Sequence, residues 1–402
     1  MTFDSSARNP VHPDPEQPGP VHRSPEPVRP VWTRPPTRTR VGAIALAVTG
    51  LTIAGFSVLL VFVYLASFLG PARLGASALL ALIPLTAVLL AIRWIDRWEP
   101  EPRPVLWFAF LWGAGVAVVT ALIFDLGVQL TVRASGGALA ANDMLSAIVQ
   151  APIVEESAKG LGVLLLFWAA RKHFDGPVDG IVYGATIAGG FAFSENIQYF
   201  GTAMTDGSEA TLGLTFLLRA VFSPFAHVMF TACIGLALGL AARRSGTVAA
   251  IPFLLLGLIP AVVLHSLWNG AFTLLGGDTS PVIYYFLVQV PLFIGAIVVV
   301  NMLRRQEVIV TRARLGDYAA AGWFTPDEVA MLATASGRRQ ARAWASRQPP
   351  GRRRAMRRFI TDATRLAFAR QRMLRSAGGP VNRTGEAELL ARVSAHRAIV
   401  LG

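Results

Sequence analysis

The sequence predicts an all-α, polytopic membrane protein of about eight transmembrane helices. Both termini are expected in the cytoplasm, with a basic helical region at the C-terminal end. Three observations carry this reading. Of the 402 residues, 53% are hydrophobic and only 15% charged, where a water-soluble domain carries about 25% charged residues. The mean hydropathy is +0.50. The charge that exists is pushed to the two ends, leaving long apolar stretches between about residues 43 and 303.

A helix needs about 20 apolar residues to cross the hydrocarbon core. Eight stretches meet this, at roughly 43–68, 75–93, 104–132, 143–170, 178–203, 211–242, 248–275 and 281–303. Before them, residues 1–42 form a Pro-rich segment with scattered arginine and acid, and the stretch lacks the apolar core of a signal sequence. Such a composition cannot bury enough apolar area to fold, so it predicts a disordered cytoplasmic tail. The first span then serves as an uncleaved anchor.

Basic residues set the orientation, because arginine and lysine favour the cytoplasmic side. Arg34, Arg38 and Arg40 precede the first span. Alternate loops carry Arg93, Arg97 and Arg103, then Arg171 and Lys172, then Arg243 and Arg244, then Arg304 and Arg305. The opposite loops hold only Arg73 and Arg133. A multi-pass protein of the cell membrane follows, N-in and C-in.

Three regions result: the tail 1–42, a bundle 43–303, and a basic helical cytoplasmic region 304–402. The last contains 20 arginines and 7 acidic residues, an excess of 13 that equals the formal charge of the whole chain. Thr325-Pro326-Asp327-Glu328 reads as a capping box that opens a helix. The basic run Arg352 to Arg358 is more simply a partner for anionic inner-leaflet lipid than for nucleic acid. The lone Cys233 excludes an intrachain disulfide and a CxxC zinc site.

Ionisable side chains deep in a bilayer are costly and usually face a protein interior. The fourth span holds Glu155, Glu156 and Lys159, the fifth Glu195 and Asn196, the sixth His227, and the seventh His265 and Asn269. At 1.5 Å per residue, Glu156, Glu195, His227 and His265 all lie roughly 21–25 Å from the cytoplasmic end of their spans. Polar residues on four antiparallel helices thus share one level, which predicts a single site. Lys159 sits i+4 from Glu155 and i+3 from Glu156, so it can hold one or both carboxylates ionised. Asp125 reads as interfacial, and Arg219 is ambiguous in the same way.

Carboxylates and histidines together bind divalent metal, and zinc with an open position activates water. A metal-free scheme, in which Glu and His activate water, uses the same residues. HExxH and Gly-x-Ser-x-Gly are both absent. A transporter or proton relay is the alternative, since intramembrane Glu and His also mark ion pathways, but no internal repeat is visible.

The motifs Glu155-Glu156-Ser157-Ala158-Lys159, Phe191-Ala192-Phe193-Ser194-Glu195-Asn196, Ser223-Pro224-Phe225-Ala226-His227 and His265-Ser266-Leu267-Trp268-Asn269 resemble, in order and spacing, the PrsW family of intramembrane proteases. That family belongs to a wider superfamily of CAAX-type and bacteriocin-processing membrane proteases. Asp179-Gly180-Ile181-Val182-Tyr183-Gly184 and Asp96 to Pro102 extend the likeness, which covers roughly residues 96–270. The resemblance implies a peptidase cutting membrane-anchored proteins, in the manner of regulated proteolysis. It implies Glu155 or Glu156 as general base and Glu195, His227 and His265 as metal ligands, with Zn2+ expected. Lys159 is then the charge partner, and Asn269 a further ligand or oxyanion donor. The wider superfamily carries histidine where Glu195 stands. Gly180, Gly184 and Ala188 form a small-xxx-small face for helix packing.

Overall fold

The computed structural model of the chain describes residues 40–135, 142–171, 173–243, 250–274, 280–375 and 380–402. The Pro-rich segment before Arg40 lies outside the described residues. Every regular element among those described is helical: α1 (Arg40–Ile95), α2 (Arg103–Leu111), α3 (Val118–Ala134), α4 (Asp143–Leu145), α5 (Ala151–Ala169), α6 (Pro177–Thr205), α7 (Glu209–Phe216), α8 (Ala226–Arg243), α9 (Ala250–Leu274), α10 (Ser280–Tyr284), α11 (Val290–Ala320), α12 (Pro326–Leu332), α13 (Ala335–Ser346), α14 (Pro350–Arg375) and α15 (Pro380–Leu401).

Five helical stretches among the described residues are long and apolar enough to cross a membrane: Ala47–Ile95, Arg103–Ala134, Glu209–Arg243, Ala250–Ala271 and Val282–Ala320. Five differs from the eight read in the sequence, for physical reasons. The first two expected spans run together as α1, broken only where Gly70 takes a φ of 74° ahead of Pro71. A side chain there would be strained, so glycine supplies the kink. On α5, Glu155, Glu156 and Lys159 crowd 19 residues. On α6, glycines and polar residues dilute the apolar content. These two helices carry the polar residues of interest and take their shelter from neighbouring helices rather than from their own composition. Large apolar side chains of the outer helices, such as Phe56, Leu90, Ile259 and Leu287, point outward, as lipid-facing positions require.

Helix α6 is the central post, buried along most of its length. It runs against α8 so closely that a Cβ on Gly180 would collide with the carbonyl oxygen of Gly235, and one on Gly235 with that of Gly180. Without a hydrophobic driving force between helices in lipid, such backbone contact is what holds them together. On its other side, the Ser194 hydroxyl donates to the Ala114 carbonyl at 2.7 Å.

Four π-helical turns interrupt the spans, at Trp112–Ala117, Ser146–Gln150, Leu217–Phe222 and Tyr285–Gln289. Helix α11 passes without a break through the expected boundary at residue 303 and into the C-terminal region. There Leu315, Tyr318, Phe324, Leu332, Phe359, Ile360 and Leu366 build a second apolar core among α11 to α15. Helix α12 opens with the expected capping box, the Thr325 hydroxyl accepting from the Glu328 amide and the Glu328 carboxylate from the Thr325 amide.

Candidate functional site

Spacing on α5 places Glu155, Glu156 and Lys159 on one face. The Lys159 ammonium donates to Glu156 Oε1 at 2.8 Å and to Glu155 Oε2 at 3.2 Å. It also lies 3.7 Å from the centre of the Phe191 ring on α6 and 3.3 Å from His227 Nδ1 on α8. Lys159 and Glu156 are wholly buried. A buried cation with one carboxylate would be poorly compensated; here two carboxylates, an aromatic face and an imidazole surround it.

Glu156 is committed on every side. It accepts from Lys159, from the Thr231 hydroxyl of α8 at 2.8 Å, and its Oε1 lies 3.1 Å from His265 Nδ1 of α9. Fixing one imidazole nitrogen in this way leaves the other, Nε2, turned toward Glu155, 3.9 Å from Oε2. A carboxylate that orients a histidine so that its second nitrogen faces a site is a recurring support for metal ligation. The His265 ring also stacks on Phe230 at 5.0 Å and meets the His227 ring edge-on at 5.1 Å.

Helix α6 brings Glu195 to His227, with 2.8 Å between Oε2 and Nε2. The same carboxylate is held by Arg219 of the π turn Leu217–Phe222, whose Nε donates to Asn196 Oδ1 at 2.8 Å. Arg219, ambiguous in the sequence, thus joins the site. Its signal was the charge itself, set within an apolar stretch. Asp125 instead sits exposed on α3, accepting from Gln129. On α9 the Asn269 amide nitrogen donates to the Ala147 carbonyl at 2.8 Å. Trp112 Nε1 donates to the Ala158 carbonyl at 3.0 Å. Three of the π turns therefore feed groups into the immediate surroundings of the site, a frequent use of π geometry near function.

One ligand atom from each of Glu155, His227 and His265 lies within 4.8 Å of the others. A carboxylate and two imidazoles suit a divalent cation, and a tetrahedral zinc with bonds of about 2.0–2.2 Å needs only a modest contraction. The charge balance agrees in sign: three carboxylates face Lys159 and Arg219, one negative charge in excess when the histidines are neutral. The geometric trio contains Glu155 where the sequence reading placed Glu195; His227 and His265 are common to both. Thr231 entered the site unannounced, since a threonine in an apolar span carries no signal of its own.

These features define an integral membrane protein whose apolar helices enclose a buried polar centre with a donor set suited to a cation. Residues 101–296 match the profile described as PrsW family intramembrane metalloprotease, and the chain belongs to that family. It is 34% identical over 157 residues to Protease PrsW of Clostridioides difficile strain 630, covering 39% of this chain and 62% of that protein. It is 30% identical over 192 residues to Protease PrsW of Bacillus subtilis strain 168, covering 48% and 78%. The Geobacillus kaustophilus protease PrsW is 32% identical over 144 residues, covering 36% and 57%. The matched part therefore spans about three-fifths of the C. difficile and G. kaustophilus relatives. No solved structure matches. Kinship with proteases does not favour the transporter reading.

Proposed function

We propose that this protein is an intramembrane peptidase that hydrolyses peptide bonds of membrane-anchored proteins. The observation that carries the reading is the gathering of Glu155, His227 and His265 ligand atoms within 4.8 Å, in a chain whose relatives are named proteases. Of the acidic pair, Glu155 is the one with an exposed edge, 12% of its side chain, while Glu156 has none. Glu155 is therefore the group to take a proton from water, as a general base must reach that water. Glu156 holds Lys159 and His265 in place. His227 and His265, completed by Glu195 so that Glu155 stays free as the base, would hold the metal, with zinc the best fit to nitrogen and oxygen donors. When bound, such an ion polarises a carbonyl and lowers the pKa of water. Asn269, four residues beyond His265 on α9, would serve as a further ligand or oxyanion donor.

The same reading gives eight spans: two from α1, one each from α2–α3, α4–α5, α6, α7–α8, α9 and α10–α11, with both termini cytoplasmic. The regions 1–42, 43–303 and 304–402 then serve as tail, peptidase bundle and basic cytoplasmic unit, the last facing anionic inner-leaflet lipid. Cutting membrane-anchored proteins suits regulated proteolysis.

The test is cleavage of a panel of membrane-anchored reporter proteins by the purified chain. Glu155→Gln and His265→Ala are expected to lose cleavage by at least about 100-fold, the scale of a lost acid–base group. Undiminished cleavage by both variants would overturn the assignment. Metal analysis of the same preparation, with and without chelator, checks zinc. Single cysteines placed in each loop of a Cys233→Ala background and labelled from either side check the topology.

A further inference from the structure

The C-terminal helices hold a feature outside the matched family segment. Between α14 and α15 lies a cavity of about 460 Å³, lined by Arg357, Arg358, Thr361 and Arg365 of α14 and by Arg392 and His396 of α15. Residues 357, 361 and 365 form one i, i+4 stripe, and 392 and 396 form the facing one, so helical periodicity aims these groups at the same space. Asp362, also in the lining, is already engaged, 3.1 Å from His396 Nδ1 and 3.7 Å from Arg392 Nε.

The charges are not balanced from within. Arg357, Arg358 and Arg365 make no side-chain hydrogen bond or ion pair with another described residue. Arg365 acts on Glu99 only through space. His396 Nδ1, although near Asp362, is buried without a hydrogen bond of good geometry. Four guanidiniums around one cavity against one carboxylate leave an excess of three positive charges before His396 is counted. Arg357, Arg358 and Arg392 are exposed, so solvent screens part of this repulsion, and an anion seated among the guanidiniums would relieve the rest.

We propose that this cavity is a binding site for a compact, multiply charged phosphate anion. Guanidinium forks match phosphate oxygens in pairs. The volume suits a small ligand and not a folded partner. No Phe, Tyr or Trp lines the cavity, so the broad aromatic platforms that hold single-stranded bases are missing. The phosphate comes either from a soluble polyphosphate or from the headgroup of an anionic phospholipid.

The full chain in nanodiscs of neutral phosphatidylcholine, titrated calorimetrically with inorganic tripolyphosphate, is expected to show saturable one-to-one binding that equal ionic strength of sodium chloride does not mimic. Arg357→Gln with Arg392→Gln is expected to weaken it by about 100-fold or more, at a tenfold or greater loss per charge-assisted contact. Arg347→Gln with Arg353→Gln removes the same charge from exposed positions outside the cavity and is expected to leave binding within about twofold, the scale of screened surface charge. Repeating the titration in nanodiscs containing cardiolipin, whose headgroup carries two phosphates, separates the sources. Loss of tripolyphosphate affinity there, absent from the Arg357/Arg392 variant, identifies a lipid headgroup; retained affinity identifies a soluble anion. Absence of saturable binding, or equal weakening by the two double variants, overturns the proposal.

Discussion

At the scale of single residues, the buried acids divide by their surroundings. Glu156 is locked by Lys159, Thr231 and His265, so Glu156→Gln leaves a buried ammonium short of its partner. Breaking a buried pair from one side costs about 3–5 kcal/mol. Thr231→Val removes one hydrogen bond to a charged group, about 1.5–3 kcal/mol. Thermal unfolding in detergent is expected to rank Glu156→Gln as the more damaging; the reverse order would show that the Lys159 contact is not central.

Asp96, Glu99 and Glu101, all raised by burial, shape the pH response together, Glu101 over the widest range. Glu101 lies just ahead of α2, where it accepts from the Tyr183 hydroxyl at 2.5 Å. Burial, then Asp179, push its carboxyl up from an ordinary 4.5 to about 11. The folded chain therefore keeps a proton that the unfolded chain releases once the pH exceeds about 4.5. In that window the folded state binds more protons, so stability is greatest at low pH and declines as pH rises toward the folded value. Glu101→Gln, neutral and of similar shape, is expected to flatten this decline. A series of melting temperatures from pH 5 to 9, about the span of a usable assay, checks it; parallel slopes for both proteins would refute it.

At the scale of elements, the packing of α6 on α8 decides whether Glu195 and His227 meet. Gly180 and Gly235 face each other backbone to backbone, and neither backbone can retreat without moving the site residues downstream. Gly180→Leu is expected to lower stability by about 3 kcal/mol or more, beyond ordinary overpacking because the obstacle is main chain. Loss of folded protein on size-exclusion chromatography checks this, with Gly213→Leu, at an open position, expected to behave like the parent. The helix periods and small-residue spacing of α6 were legible in the sequence. The π turns were not, because a π turn needs only one extra residue and has no composition of its own.

At the scale of the whole molecule, the C-terminal region is tied to the bundle through Arg338. This buried guanidinium donates to the Leu332 carbonyl at 2.6 Å, to Thr364 Oγ1 at 2.7 Å and to the Trp98 carbonyl at 3.0 Å. It also stacks on the Trp98 ring at 3.4 Å, while Trp98 Nε1 donates to Thr311 Oγ1 at 3.0 Å. Arg338→Ala leaves two carbonyls and an indole face unpartnered and is expected to cost about 2–4 kcal/mol. Faster proteolytic release of the region after Ala320 measures it; an unchanged rate would show that the apolar core of α11 to α15 suffices.

The sequence by itself determined the helical class, the membrane, the family and the candidate polar residues of the site. These are readable because bilayer thickness converts position along a chain into depth, and because charge in lipid is too costly to be accidental. Only the tertiary structure decided which of those residues meet. Sequence spacing relates residues on one helix, whereas Glu155, His227 and His265 sit on three, and their contact depends on how α5, α8 and α9 rotate and cross. That rotation is set by glycine contacts and π turns, which is why Arg219 and Thr231 joined the centre and why Glu155 stands in the trio where Glu195 was expected.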